Sequence, residues 1–232
     1  MLGLLLLLVV VVLIGTYTFI PPVLNNTLER DLQSRLNLQN RPDVKLKSSP
    51  PPEMLVGKFS RGVVDLKYPR FGGVRPEKVT LVLDPFNVKV LESLTNGAFE
   101  TRKQLSGDLR VALSEKEVQR IAKSRVKSFP IDGLNLQKNG VAIQTSVSVF
   151  GFKLPVRVMG KLSLRSGKLD FRPQQIDAAG MPIPKNLSRQ LLSGVDFSYA
   201  LGKLPYGITI NRLQVMDKRL VLKGRMERIP SS

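Results

Sequence analysis

VAIQTSVSVFGFKLPVRVMGKLSLR, the stretch from Val141 to Arg165, decides the fold of this chain. Apolar and polar residues alternate along both halves of it, on either side of a turn predicted at residues 151–153. Strand side chains point to opposite faces with a period of two, so the pattern predicts two long strands, each with one apolar and one polar face. Such a ribbon is only marginally stable alone in water, and its apolar face needs a helix, a second sheet or a lipid as cover.

The rest of the chain alternates strand patterns with turns and four helix patterns, of which a short one is predicted at residues 87–94. Leucines recur every four residues from Leu24 to Leu36, and Ser114 with Glu117 forms a capping box that opens a helix ending near Lys127. A further helix is predicted at residues 185–193. Strands are predicted at residues 54–68, 79–83, 99–113, 208–215 and 220–226, the fourth with a bulge near Asn211. This order predicts an α+β fold with a largely antiparallel sheet.

The charge of the chain is strongly positive. Its 36 lysines and arginines outnumber its 18 aspartates and glutamates, which gives a formal net charge of +18. A charge of this size favours an anionic partner, such as nucleic acid, lipid headgroups or an acidic polymer. Aromatic residues make up only 6% of the chain, and no strand interleaves them with basic residues in the pattern typical of base stacking. We therefore predict that nucleic acid is not the partner.

The residue types that most enzymes use are missing. The chain has no Cys and no His, so a disulfide and a Ser-His-Asp or Cys-His nucleophile are impossible, and a zinc or copper site is strongly disfavoured. The carboxylates are scattered over strand edges and turns, where surface roles are favoured over a catalytic pair such as Asp108 with Asp170. The sequence predicts a protein that is not an enzyme and holds no metal or other cofactor.

Residues 1–20 carry no charged side chain and, as a helix, would span roughly 30 Å, the hydrocarbon thickness of a bilayer. A cleaved signal peptide is the alternative, but no basic residue precedes Leu4, and residues 15–18 near the end of the segment form a poor cleavage site. We favour an uncleaved transmembrane signal-anchor, although Arg30 and Arg35 after it oppose an exported domain by the positive-inside rule. An amphipathic helix and Pro-rich loop are predicted at residues 21–53, followed by one α+β domain at residues 54–228.

A bound lipid would cover the broad apolar face of the sheet more completely than the helices of the chain can. Two moderate helices leave room for an elongated apolar cleft, in which acyl chains gain roughly 0.8 kcal/mol per buried CH₂. Dispersed lysines and arginines attract anionic headgroups at about 1 kcal/mol each. The residues predicted to line the cleft are Val118, Ile121, Ala122, Leu187 and Leu191 on the helices and Val147, Val149, Val156 and Val158 on the ribbon.

Several runs, in a fixed order, resemble a known family. They are DPFNVKVLESL, SEKEVQRI, VSVFGFKLPVRVMGKLSL, GKLDFRPQQIDAAGMPIP and LPYGITINRLQVMDKRLVLKGR. The series resembles the bacterial LmeA-like phospholipid-binding proteins over most of the chain, from about Leu38 to Gly224. The resemblance implies a fold similar to the tubular lipid-binding class, in which a highly curved antiparallel sheet wraps one or two helices and shelters acyl chains. It also implies an exported protein of the cell envelope or periplasm that binds anionic phospholipid.

We therefore predict non-enzymatic binding or transfer of anionic phospholipid at a membrane of the cell envelope. The alternative is a basic scaffold module that binds an anionic envelope polymer without acyl-chain binding. Only the first of these requires an apolar cleft between the sheet and the helices.

Overall fold

A computed structural model describes residues 22–70, 73–96, 100–125, 130–138, 140–149, 152–178, 181–182, 197–200 and 207–229. The helices are α1 (residues 22–35), α2 (Val90–Asn96) and α3 (Glu115–Arg125), with a 3-10 helix at Pro51–Val56. The strands are β1 (Asp43–Lys47), β2 (Lys58–Phe59), β3 (Arg61–Lys67), β4 (Lys78–Leu83), β5 (Phe86–Asn87), β6 (Leu105–Ser114), β7 (Gly133–Gln137), β8 (Gly140–Val149), β9 (Phe152–Arg165), β10 (Lys168–Ala178), β11 (Met181–Pro182), β12 (Phe197–Ala200), β13 (Ile208–Met216) and β14 (Arg219–Ile229).

The strands form two six-stranded sheets and one small pair. The first sheet has the order β1-β3-β4-β6-β14-β13, and the second has the order β11-β10-β9-β8-β7, with β12 paired to β10. Every pairing between these described strands is antiparallel. The α+β class is confirmed, and so is the antiparallel pairing. One sheet was predicted and two are found, because β14 pairs with β6 and thereby joins the last hairpin to the first sheet.

The predicted ribbon is confirmed as β8 and β9, at the centre of the second sheet. Ile143 lies opposite Val158, and the pairing continues without interruption to Val149 and Phe152. The predicted turn was misplaced, because Phe152 and Lys153 already belong to β9. The apolar residues of the two strands therefore share one face, which we call the inner face of the ribbon.

The hairpin of β13 and β14 contains the predicted bulge. The register shifts between Ile210 and Arg212, so that one residue is left without a partner. Ile208 has an even number and Val215 an odd one, so in a regular strand they would face opposite sides of the sheet. Because of this shift, they face the same side.

The strand predicted at residues 54–68 is wrong in its first part. Pro51–Val56 is a 3-10 helix instead, and Gly57 follows it with a φ of 79°. A Cβ at position 57 would also collide with the carbonyl oxygen of Val88, so both the left-handed backbone and this close approach require glycine. The strand predicted from residue 99 begins only at Leu105.

Two hydrophobic cores lie against the sheets. In the first core, α1 buries Leu24 and Leu28 beside Val64 and Leu81, which confirms the leucine-rich helix as a packing element. The second core is formed by the second sheet and by residues of β6, β13 and β14, and α3 packs against it. Its buried residues are Leu113, Ile131, Leu134, Leu136, Val141, Ile143, Val156, Val158, Phe171, Ile176, Val215 and Leu220.

Among the described residues, no helix combines the length and the apolar character needed to cross a bilayer. Residues 1–20, predicted as an anchor or signal, lie outside the described ranges. The helix predicted at residues 185–193 also lies outside them.

Candidate functional site

Helix α3 packs against strands of both sheets and begins at the predicted cap. The hydroxyl oxygen of Ser114 accepts a hydrogen bond from the N–H of Glu117 at 3.3 Å, which satisfies one of the free amides of the first turn. The reciprocal half of the predicted capping box is wrong. The Glu117 carboxylate instead accepts a hydrogen bond from the N–H of Arg75 at 2.7 Å and forms an ion pair with Arg120. The start of the helix is thereby held to the loop that precedes β4.

Two carboxylates hold α3, one at the loop before β4 and one at β7 of the second sheet. The side chain of Glu117 is 8% exposed, and the hydrogen bond from Arg120, aided by the N–H of Arg75, keeps its pKa below the usual value in spite of burial. The carboxylate of Glu115 accepts a hydrogen bond from the N–H of Leu136 at 2.6 Å, which ties the helix to β7. These contacts turn the apolar side of α3 toward the second core.

The structure brings together five of the nine residues predicted to line a cleft. Val156 and Val158 of β9 are 4% and 0% exposed and belong to the second core. Val118, Ile121 and Ala122 of α3 pack against the same core and are half-buried. The residues that the sequence predicted on α3 and on β9 therefore meet at one core, although the strand that α3 contacts most is β7.

As lipid contacts all nine residues stay predictions, and the side chains of the other four lie outside the described structure. Val147 and Val149 lie on β8, but their side chains are outside the described part of the structure. Leu187 and Leu191 lie outside the described residues altogether.

The inner face of the ribbon is filled where it meets β10. Phe171 is 1% exposed, and its ring covers Gly160, where an added Cβ would come within 2.6 Å of the ring. Ile176 lies opposite Val158 and is equally buried. Sequence reasoning missed Phe171 and Ile176, because a register shift just before Gln175 places these two residues of opposite parity on one face.

Thr145 is a polar member of the same buried row and was also missed. It is 2% exposed, and its hydroxyl donates a hydrogen bond to the carbonyl oxygen of Pro130 at 2.6 Å. Because its polar group is satisfied, Thr145 can lie within the apolar interior. Its position, two residues from Ile143 and from Val147, was the signal available in the sequence.

A rim of half-buried apolar side chains surrounds the second core. The rim residues are Val74, Val111, Val118, Ile121, Ala122, Leu162, Ala178, Leu213 and Leu222. Their partly exposed apolar surface gains free energy from any apolar partner that removes it from water. Aliphatic side chains bring contact area and no acid, base or nucleophile, so the rim is suited to hold a hydrocarbon chain.

Both sheets, apart from the last four residues of β14, fall within a single family match. A family model described as LmeA-like phospholipid-binding matches residues 15–225. This chain belongs to the LmeA-like phospholipid-binding family. No curated protein and no solved structure matches it. The resemblance seen in the sequence is confirmed, and membership of the LmeA-like family indicates phospholipid binding.

The LmeA-like family is a lipid-binding family and is not known for enzymatic activity. Asp108 and Asp170, considered above as a catalytic pair, lie on different sheets, and the Asp108 carboxylate is 3.5 Å from the guanidinium of Arg225. Within the described ranges, no three His, Cys, Asp or Glu residues are grouped to hold a metal ion. Asp108 and Asp170 are therefore not a pair in the described structure.

A depression of about 380 Å³ lies at α2. It is lined by Lys89, Val90, Leu91, Glu92 and Arg102. The residues predicted to bind lipid are not part of this lining. In this LmeA-like chain, the depression and the rim are therefore different places.

Proposed function

We propose that this chain binds anionic phospholipid without catalysing a reaction and holds the acyl chains between α3 and the second sheet. The observation that carries the proposal is the half-buried state of Val118, Ile121 and Ala122 against the second core. Without a ligand these side chains keep apolar surface in water. A hydrocarbon chain that lies along them removes this surface at roughly 25 cal/mol per Å².

The filled part of the inner face determines where the acyl chains lie. Val158, Gly160 and Phe171 are packed too tightly to be displaced without opening the second core. The proposed binding surface is therefore the rim, where α3 borders the second sheet, and not the centre of the ribbon. Val156 and Val158 belong to the core against which this surface packs.

Charge and the N-terminal segment suggest the lipid class and the location. With a net charge of +18, the protein attracts anionic headgroups at about 1 kcal/mol for each cation near the surface, an effect that salt screens. Residues 1–20 are the proposed tether to a membrane of the cell envelope, with the domain facing the periplasm. In this setting the proposed role is to bind phospholipid or to transfer it.

Native mass spectrometry of the full-length protein tests the proposal. We expect phospholipid to co-purify with the wild type, and Ile121→Asn to lower the lipid-bound fraction about tenfold, because a buried amide without a partner costs on the order of 1–2 kcal/mol. Leu32→Asn is the matched control, since Leu32 is also half-buried but packs against the first core. Thermal unfolding of both variants checks that each one is folded.

A lipid-free spectrum together with no binding to anionic vesicles would contradict the proposal. The alternative of a basic scaffold predicts a different result. In that case the protein binds an anionic polymer in a salt-sensitive way, no acyl chain is found, and Ile121→Asn has no effect on binding.

A further inference from the structure

The ribbon of β8 and β9 extends past the core that covers it. Along the inner face of β9, Val158 is 0% exposed, Val156 is 4% exposed and Leu154 is 38% exposed. The two strands nevertheless stay paired beyond Leu154, as far as Val149 and Phe152. The backbone of the ribbon is therefore paired past the core, and its apolar row passes from the protein interior to the partly exposed Leu154.

Cations accompany this apolar row, and acidic residues do not. The sequence contains no Asp or Glu between Asp132 and Asp170. Lys153 and Arg157 precede and follow Leu154 along β9, lie on the opposite, outer face of the ribbon and are both exposed. In the described part of the chain, neither of them forms an ion pair.

One carboxylate of the neighbouring strand lies opposite these cations. Asp177 of β10 is in register with Arg157, but its carboxylate accepts a hydrogen bond from the side-chain amide of Gln175 at 2.9 Å. The guanidinium of Arg157 thus keeps its donors for another acceptor. Phosphate is a suitable one, because guanidinium groups bind phosphate oxygens with two parallel hydrogen bonds.

We propose that this end of the ribbon docks the protein onto an anionic bilayer. Leu154 enters the boundary between headgroups and acyl chains, while Lys153 and Arg157 bind lipid phosphates. Leu154 and Arg157 are about 10 Å apart at roughly 3.4 Å per strand residue, a distance comparable with the depth of the interfacial region. An anionic polymer would neutralise the two cations but would leave Leu154 in water, and this favours the bilayer.

The inference rests on the proposed function and extends it, because it names the surface that meets the membrane. The apolar row from Leu154 through Val156 to Val158 joins that surface to the second core. A phospholipid at the rim would then be bound close to the bilayer from which it comes.

Because the chain contains no cysteine, a single label can report on docking. Full-length Leu154→Cys carries an environment-sensitive fluorophore and is reconstituted in nanodiscs of phosphatidylcholine with or without phosphatidylglycerol. With phosphatidylglycerol present, we expect quenchers attached to the acyl chains to quench this label. Leu91→Cys is the matched control, because Leu91 is a 75% exposed leucine on α2 and its label should stay in water.

A pair of charge variants separates the position of the cations from net charge. Lys153→Gln with Arg157→Gln should lower the ratio of docked to free label at residue 154 by on the order of tenfold at low salt. Lys47→Gln with Arg61→Gln removes the same charge from a cross-strand pair of the first sheet, and we expect a change of about twofold at most.

The outcomes distinguish docking from lipid binding. If the label at residue 154 stays in water while phospholipid still co-purifies, docking by this surface is refuted and lipid binding stands. If the label is buried but no lipid co-purifies, docking stands and acyl-chain binding fails. A label in water, combined with weaker heparin binding by the Lys153→Gln and Arg157→Gln variant, would assign the surface to an anionic polymer and overturn the proposal.

Discussion

The outer faces of the two sheets differ in how their charges are used. On the first sheet, the carboxylate of Asp65 accepts hydrogen bonds from Thr80 at 2.6 Å and from Lys78 at 3.0 Å. On the ribbon of the second sheet there is no carboxylate, and Lys153 and Arg157 have no ion-pair partner among the described residues. Charges on the first sheet therefore contribute to its own stability, whereas those on the ribbon remain available to an anionic partner.

The largest expected loss of stability is at the inner, buried faces, where truncation of a core side chain should destabilise the protein by a similar amount in either sheet. Phe171→Ala removes a side chain that is 1% exposed and opens a cavity over Gly160, so we expect the free energy of unfolding to fall by about 3–5 kcal/mol. Leu81→Ala, in the first core, should cost about 2–5 kcal/mol. Urea denaturation followed by circular dichroism measures both. A loss below about 1 kcal/mol for Phe171→Ala alone would show that the second core is loosely packed.

An intermediate effect is expected at Glu117, which links α3 to the loop before β4. Glu117→Ala leaves the N–H of Arg75 without its acceptor and should lower the free energy of unfolding by about 2 kcal/mol at neutral pH. Lys116→Ala, at the exposed neighbouring position, is the control and should stay within about 0.5 kcal/mol of the wild type.

The contribution of Glu117 should also depend on pH. Its folded-state pKa is lowered, first by the hydrogen bond from Arg120, so the stabilisation is complete above the unfolded pKa of about 4.3 and is lost as the pH falls through the folded value. The difference between wild type and Glu117→Ala should therefore shrink in acid. A difference that stays constant down to the acid transition would mean that the carboxylate charge is not what holds the helix.

The smallest expected effect tests the outer faces directly. Arg225 binds Asp84 and Asp108 on the first sheet, and Arg225→Gln should cost about 0.5–1 kcal/mol because these pairs are largely exposed. Arg157→Gln on the ribbon should leave the free energy of unfolding unchanged within about 0.5 kcal/mol. Thermal melts of both variants at low salt provide the measurement. An equal loss for Arg157→Gln would make the ribbon cation a structural one and remove the contrast between the faces.

Local structure was predictable from the sequence where neighbouring residues determine it. The period of two predicted β8 and β9, and it placed Val156 and Val158 on a buried face. The parity conflict between Ile208 and Val215 predicted the bulge in β13. Ser114 predicted the start of α3, because an N-cap needs only one side chain and the turn that follows it.

Features that depend on distant residues were not predictable in the same way. The carboxylate of Glu117 accepts a hydrogen bond from Arg75, and the carbonyl of Val88 requires glycine at position 57. Neither contact can be recognised from the residues next to it in the sequence. The division into two sheets depends on the pairing of β14 with β6, which are far apart in the sequence. Whether a cleft has room for a ligand depends on how rings such as that of Phe171 pack, which residue type alone does not determine.

The position of β14 has a consequence for the order in which the protein assembles. Strands β7 to β12 follow one another along the chain and form the second sheet, whereas β6 and β14 pair with each other from either side of that whole segment. During synthesis, the second sheet can close before the first one has received its last two strands. Until then β6 presents an open edge, and open edges recruit foreign strands. The order in which strands emerge thus leaves the edge of β6 open until β14 has been made.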